Sequence, residues 1–175
     1  ENVVIPTPHW TAYELTARTL GAGTRFLKTD LDSGWKIDVG KLGGLIDKKT
    51  RLIILNNPNN PTSKVIENKV LEEIVQTANN KGIPILCDEV YSDISFVKVK
   101  SILDFSNDNI LVKSFSKAYA MTGWRIGYAI VKKELAEKMV KLNEITLTNV
   151  PVFVQHAALK ALELRQKIVS EIREE

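Results

Sequence analysis

The chain has 175 residues, 44% of them hydrophobic and 26% charged, which is the composition of one globular domain with a sizeable core. Its net charge of +3 is spread without a basic block, which argues against nucleic acid as a partner. The single cysteine, Cys87, excludes an internal disulfide and favours a reducing, cytoplasmic compartment, and no apolar run reaches the roughly 18 residues that a membrane span needs.

Strands and helices are predicted to alternate along the first half of the chain. Short runs of β-branched and apolar residues predict strands over residues 3–5, 25–28 and 51–55. Apolar residues at helical spacing predict helices over residues 11–20, 39–46 and 67–79. Thr11 is the predicted cap of the first helix, and Asp38 stands near the start of the second. The third strand is apolar on both faces, which is typical of a parallel sheet covered by helices.

The alternation continues in the second half of the chain. Strands are predicted over residues 83–87, 110–112 and 126–131, and helices over residues 133–147, 151–163 and the C-terminal tail. This pattern indicates a three-layer, doubly wound, mostly parallel α/β sheet with helices on both faces and right-handed crossovers. The segment from Ser114 to Arg125 is too short for a helical crossover, so the last strand is expected to run antiparallel to its neighbour.

Polar side chains follow three of the predicted strands. Asn60 follows the strand over 51–55, while Asp88 and Tyr91 follow the strand over 83–87. The strand over 110–112 leads into a turn that carries Ser114, Ser116 and Lys117. Ligands of such sheets bind at the carboxyl ends of the strands. If these strands are neighbours, spaced by about 4.8 Å, the six side chains share one crevice.

A lysine in this crevice has a chemical use. A lysine that forms a Schiff base must lose its proton near neutral pH, well below its ordinary pKa of about 10.4, and burial or nearby cations achieve this. The aldehyde that Lys117 would hold is pyridoxal phosphate, whose ring nitrogen requires an acidic partner such as Asp88. Tyr91 and Asn60 suit the ring hydroxyl as hydrogen-bond donors.

The phosphate and the flat ring of that cofactor also have candidate partners. Arg125, Ser114 and Ser116 provide the guanidinium and hydroxyl groups that bind phosphate. Trp10 follows the first strand in the turn Pro8-His9-Trp10 and can cover the ring face.

Each of these residues alone also has an ordinary structural interpretation. Lys117 can be a solvated loop lysine, Asp88 can cap a helix that begins at Glu89, and Asn60 can hold the proline turn. Tyr91 and Trp10 can serve packing only, and Arg125 can belong to a surface ion pair. His9 and His156 have no partners at metal-site spacing, so we interpret both as structural or surface residues. Cys87 is predicted to be a buried small side chain.

Taken together, the motifs resemble a known family. They are Pro8-His-Trp-Thr-Ala-Tyr13, Asn57-Pro-Asn-Asn-Pro-Thr62, Asp88-Glu-Val-Tyr91, Ser114-Phe-Ser-Lys117 and Gly123-Trp-Arg-Ile-Gly-Tyr128. In this order and spacing they resemble the class I/II aminotransferases of the aspartate aminotransferase fold. The family usually has glycine after Pro-Thr, whereas this chain has Ser63, which makes a backbone with positive φ costlier there.

The resemblance implies a role for each candidate residue. Lys117 is the Schiff-base lysine and proton shuttle, Asp88 binds the pyridine nitrogen, and Tyr91 and Asn60 bind the ring oxygen. Arg125, Ser114 and Ser116 hold the phosphate, and Trp10 lies over the ring. The implied reaction is reversible amino transfer from an amino acid to a 2-oxo acid by an enzyme that is a homodimer at full length.

The resemblance also implies that this chain is incomplete. The family's upstream phosphate-binding turn and the carboxylate-binding arginine of its C-terminal small domain are absent, so residues 1–175 are expected to be the cofactor-binding large domain, truncated at both ends. The chain also begins inside a predicted strand and ends inside a predicted helix. Two alternatives remain open at this point: a decarboxylase or carbon–sulfur lyase on the same scaffold, and a fragment of that fold without catalytic activity.

Overall fold

A six-stranded β-sheet forms the centre of the computed structural model, which describes residues 1–174. Its strands are β1 (Asn2–Thr7), β2 (Gly23–Lys28), β3 (Thr50–Asn56), β4 (Ile85–Asp88), β5 (Ile110–Ser114) and β6 (Gly127–Ile130). Their order across the sheet is β2-β1-β3-β4-β5-β6. All neighbouring strands are parallel except β5 and β6, which are antiparallel. The predicted mostly parallel sheet with one antiparallel strand is confirmed.

Helices connect most of the strands and continue after the last one, whereas two 3₁₀ turns, at Ser92–Ile94 and Ile102–Asp104, lie between β4 and β5. The helices are α1 (Thr11–Thr19), α2 (Val39–Leu45), α3 (Asn68–Asn80), α4 (Phe115–Ala118), α5 (Lys133–Thr146), α6 (Val152–Glu163) and α7 (Arg165–Glu174). Asp38 caps α2 by accepting a hydrogen bond from the Lys41 N–H at 2.9 Å. The prediction that Thr11 caps α1 is wrong, because the extended residue before the helix is Trp10 and Thr11 already has helical geometry.

Side-chain alternation along the strands gives the sheet a core on each face. On one face, Ile53 of β3 and Ile85 of β4 belong to the apolar cluster that includes Leu42 of α2 and Leu71 of α3. On the other face, Ile5 of β1 packs in a separate cluster with Ala17 of α1 and Ile54 of β3. Helices therefore cover both faces, which confirms the three-layer prediction.

A third cluster forms around the short helix that follows β5. Phe115 and Ala118 of α4 pack with Ala158 and Ala161 of α6 and with Val169 of α7. Because these side chains are buried, the first turn after β5 is fixed in place by the two C-terminal helices. Among residues 1–174, no helix is both long and apolar enough to cross a membrane.

Cys87, His9 and His156 were interpreted from the sequence as buried, structural or surface residues, and their positions in the structure agree with this. Cys87 of β4 is fully buried in the apolar cluster that includes residues of α2 and α3. The His9 imidazole is mostly buried and packs against Phe26, with their ring centroids 5.6 Å apart. His156 is exposed on α6.

Candidate active site

All the residues predicted from the sequence to form a site line one cavity of about 530 Å³. The cavity lies where the carboxyl ends of β1, β3, β4 and β5 meet. This volume is within the range of about 300–1,000 Å³ typical of small-molecule pockets. The predicted residues on its wall are Trp10, Asn60, Asp88, Tyr91, Ser114, Ser116, Lys117 and Arg125.

Asp88 is the last residue of β4, one position further than the sequence predicted for the strand. Its carboxylate accepts a hydrogen bond from the Tyr13 hydroxyl at 2.8 Å and from the Val90 N–H at 3.0 Å. No helix begins at Glu89, so the interpretation of Asp88 as a helix cap is wrong. Burial, followed by the charge of Asp88, raises the pKa of Tyr13 well above its ordinary value, which keeps this phenol a donor.

Asn60 and Tyr91 meet at one side of the cavity. The Asn60 side-chain nitrogen lies 3.4 Å from the Tyr91 hydroxyl oxygen. The Asn60 backbone N–H donates to the side-chain oxygen of Asn56 at 2.6 Å. Asn56 is buried and donates its own amide to the backbone oxygen of Asp88 at 2.9 Å. Asn56 thus connects the loop that carries Asn60 to the end of β4.

Lys117 lies in the first turn after β5, on helix α4. Its Nζ is 5.9 Å from the centroid of the Tyr91 ring. The Ser114 hydroxyl oxygen accepts from the Ser116 N–H at 3.1 Å and lies 3.0 Å from the Ser116 hydroxyl. Ser114 therefore caps the helix that presents Lys117, and both hydroxyl groups face the same cavity.

Arg125 and Gly127 lie where the chain leaves this turn and enters β6. Arg125 has left-handed backbone angles, φ 53° and ψ 47°, which are costly for a residue with a side chain. Its guanidinium donates to the Thr122 backbone oxygen at 2.9 Å. Among residues 1–174 it is paired with no carboxylate, so the predicted alternative of a surface ion pair is absent there. A Cβ at Gly127 would lie 2.7 Å from the Lys113 oxygen, so only glycine fits where β6 meets β5.

Trp10 lies at the rim of the cavity and is 51% exposed. Its ring contacts the Tyr13 ring edge-to-face, with centroids 5.5 Å apart. The extended backbone of Trp10 makes the junction between β1 and α1, which directs both aromatic rings towards the end of β4.

Tyr13 and Asn56 also line the cavity, although the sequence did not predict them as site residues. Tyr13 was part of the motif that begins at Pro8, and it follows Trp10 by nearly one helical turn, so both can face the same cavity. Asn56 had a weaker signal, which was a polar residue directly after a run of apolar strand residues. With these two, the cavity combines one carboxylate, two cationic side chains and several hydroxyl and amide groups, a set that suits an anionic, polar ligand.

A comparison with protein families agrees with the motifs. The family model described as aminotransferase class I and II matches residues 1–175, and the chain belongs to that family. It is 38% identical over 173 residues to an aspartate aminotransferase of Thermococcus kodakarensis. That match covers 99% of this chain and 46% of the relative.

Solved structures show the same architecture. Aspartate aminotransferase of Thermus thermophilus, determined with maleate, superposes with a TM-score of 0.96 and 29% identity, covering 99% of this chain and 47% of that one. An aromatic aminotransferase from Pyrococcus horikoshii superposes with a TM-score of 0.94 and 34% identity, covering 100% of this chain and 49% of that one. The predicted aspartate aminotransferase fold is confirmed. The chain spans about half the length of the curated relatives it matches.

Proposed function

We propose that residues 1–175 are the cofactor-binding large domain of a pyridoxal-phosphate-dependent aminotransferase, which moves an amino group between an amino acid and a 2-oxo acid. The observation that carries the proposal is the convergence of all the predicted site residues on one cavity. These residues come from several separate segments, and the two furthest apart in the sequence, Trp10 and Arg125, are separated by 115 positions. Chance poorly explains why residues so far apart in the chain, all suited to one cofactor, line the same cavity.

The groups on the cavity wall fit pyridoxal phosphate. The Asp88 carboxylate would hold the ring nitrogen, and Tyr91 and Asn60, which already approach each other, would hold the ring oxygen. Ser114, Ser116 and Arg125 would hold the phosphate, since hydroxyl groups and a guanidinium form charge-assisted hydrogen bonds with it. Trp10, at the rim, would cover one face of the ring.

The protein's own residues would then act as follows. When bound, pyridoxal phosphate supplies an aldehyde that reacts with amines and a ring that withdraws electrons from the substrate α-carbon. Lys117 Nζ would take the proton from that α-carbon and later return it, because the side chain is exposed and lines the cavity. The Asp88 carboxylate, fixed by Tyr13 and Val90, would keep a protonated nitrogen on the ring.

The names of the relatives support the proposed class of substrate. Relatives of this chain are named aspartate aminotransferase and aromatic-amino-acid aminotransferase, which supports amino transfer over decarboxylation or carbon–sulfur cleavage. We therefore infer amino-acid and 2-oxo-acid substrates for the whole protein, and the homodimer that the family resemblance implies stays a prediction. Because the chain covers about half of these relatives, the rest of the active protein would supply the groups that select the substrate.

The experiment uses the full-length protein. Purified protein titrated with pyridoxal phosphate is expected to become yellow, and borohydride reduction followed by peptide mapping is expected to place the cofactor on Lys117. Lys117→Ala should lose both the label and all oxo-acid-dependent amino transfer while keeping the circular dichroism spectrum. Lys138→Ala, a matched change at an exposed lysine of α5, should behave like the unmodified protein. A colourless protein, or a label on another lysine, would contradict the proposal.

A further inference from the structure

A second polar cluster lies on the face of the sheet opposite the candidate active site. Alternation along β5 points Val112 and Ser114 into the active-site cavity, whereas Leu111 and Lys113 line a separate cavity of about 320 Å³. Ser92 and Asp93 also line this second cavity. We refer to Lys113, Ser92 and Asp93 as the rear cluster.

The rear cluster holds the turn that carries two of the site residues. This turn runs from Asp88 at the end of β4 to Tyr91, and continues directly into a 3₁₀ turn at Ser92–Ile94. Lys113 Nζ donates to the Ser92 hydroxyl and lies 3.4 Å from a carboxylate oxygen of Asp93. Lys113 is thus tied to the chain immediately after Tyr91.

The burial of these charges makes the contact specific. The side chains of Lys113 and Asp93 are only 15% and 17% exposed. Removing two charges from water costs free energy that their attraction offsets only when the geometry is well defined, so a buried ion pair is weak evidence for stability. Arg165 of α7 also donates to Asp93, at 2.9 Å. The carboxylate therefore keeps a cationic partner when Lys113 is removed.

We propose that Lys113 is a positioning residue: it fixes the turn between Asp88 and Tyr91 from the rear of the sheet, so that the carboxylate and the phenol face the cofactor. This inference rests on the proposed function. Lys113 touches neither cofactor nor substrate in this arrangement, since its side chain leaves β5 on the opposite face. Tyr91 directly precedes Ser92 in the chain, so the hydrogen bond from Lys113 to Ser92 also restrains the backbone at Tyr91.

The test compares cofactor binding among variants of the full-length protein. Lys113→Met removes the ammonium and keeps an unbranched, apolar side chain. We expect its dissociation constant for pyridoxal phosphate to rise about tenfold, the size of effect found when residues that orient metal ligands are removed. The visible absorption maximum of the bound cofactor should shift as well, because it depends on how Asp88 and Tyr91 contact the ring. Lys113→Arg, which retains the charge, should restore most of both properties.

Lys132→Met is the matched control for the lysine-to-methionine change. Lys132 pairs with Asp108 at 2.7 Å, but both side chains are more than half exposed, so its loss should change neither readout. Ser92→Ala, which removes a single hydroxyl, gives a second variant if Lys113→Met does not fold. Its dissociation constant for pyridoxal phosphate should also rise, by about threefold, which is near the lower end of the effect of losing one hydrogen bond.

The possible outcomes separate this inference from the proposed function. If the unmodified protein binds pyridoxal phosphate and both Lys113→Met and Ser92→Ala bind it equally well with the same spectrum, the positioning role is wrong and the proposed function stands. If the unmodified protein binds no cofactor, the proposed function itself fails. A variant that is less stable but spectroscopically unchanged would assign the rear cluster to stability alone and overturn the inference.

Discussion

The Tyr13 hydroxyl donates a 2.8 Å hydrogen bond to the carboxylate of Asp88, which joins the start of α1 to the end of β4 across the intervening strand β3. A hydrogen bond to a charged acceptor contributes more than one between neutral groups, at about 1.5–3 kcal/mol. Asp88 has one further donor, the Val90 N–H, so the tyrosine supplies about half of the contacts that orient the carboxylate.

Tyr13→Phe should therefore affect both stability and cofactor binding. We expect the free energy of unfolding to fall by about 1.5 kcal/mol, because Asp88 loses a partly buried donor. The dissociation constant for pyridoxal phosphate should rise several-fold, since the carboxylate is less well oriented. Chemical denaturation and cofactor titration measure the two effects. Tyr128→Phe is the matched control, because Tyr128 is 41% exposed and contacts Phe115 through its ring. Equal behaviour of the two variants would contradict the role of Tyr13.

Ser63 provides a test of backbone strain in the loop that carries Asn60. Its φ is +58°, in the region where glycine is favoured, as anticipated from the family's usual glycine at this position. Ser63→Gly should raise the free energy of unfolding by about 0.5–1 kcal/mol, because relief of the left-handed strain exceeds the added entropy of the unfolded chain. Ser95→Gly, at a serine with φ −66°, should lower it instead. A loss of stability in Ser63→Gly would show that the left-handed conformation costs nothing here.

Gly127 controls how closely β6 approaches β5. An alanine Cβ would lie 2.7 Å from the Lys113 backbone oxygen, so one of the two strands must move. We expect Gly127→Ala to reduce the free energy of unfolding by about 1–3 kcal/mol. It should also weaken binding of the phosphate of the proposed cofactor, because Arg125 lies two residues before β6 begins.

The control for that change is another glycine with space around it. Among residues 1–174, no heavy atom lies within 4 Å of the position that a Cβ would take at Gly44 of α2, and alanine is the better helix former. Gly44→Ala should therefore stabilise the protein by up to about 1 kcal/mol. If both alanine variants were equally stable, the close approach of β5 and β6 would not be the reason for glycine at position 127.

The sequence predicted the strands and their polar ends well because both depend on local patterns. Apolar runs followed by Asp88 or Ser114 identify strand ends that meet at one edge of a parallel sheet. The exact ends depended on pairing: Asp88 belongs to β4 because it is in register with Asn56 of β3, which no local pattern indicates. The Thr11 cap was predicted from residue type, whereas the backbone of Trp10 decides where α1 begins.

Contacts between distant segments could not be read from the sequence. Tyr13 meets Asp88 only because the sheet order brings β1 near β4, and the two residues are 75 positions apart. Lys113 directly follows the strand predicted over residues 110–112, and its contact with Ser92 depends on which face of β5 it occupies. These relationships follow from register and topology, which the residue pattern leaves undetermined.

Glu89 lines the same cavity as the rear cluster, and its buried carboxyl predicts that the stability of the protein depends on pH. It is 2% exposed, and its carboxylate accepts from the Ile102 N–H at 2.7 Å and from the Ser101 hydroxyl at 3.1 Å. Burial raises the pKa of Glu89 above its ordinary value of 4.5, and the hydrogen bond from the Ile102 N–H and the positive charge of Lys113 oppose only part of this rise. The folded state therefore holds the proton more tightly than the unfolded chain does. The resulting stability is complete below pH 4.5 and is lost as the pH rises through the folded-state pKa.

Glu89→Gln removes this titration while keeping a side-chain oxygen that can accept from Ile102. The variant should be more stable than the unmodified protein at neutral pH, and the difference should shrink towards zero as the pH falls to 4.5. Urea denaturation at intervals between pH 4.5 and pH 8 measures the difference directly. Glu163→Gln, an exposed residue paired with Lys160, should give a difference near zero throughout. A difference for Glu89→Gln that is constant over this range would mean that the buried carboxyl does not change its charge there, because only a group that titrates differently in the two states makes stability depend on pH.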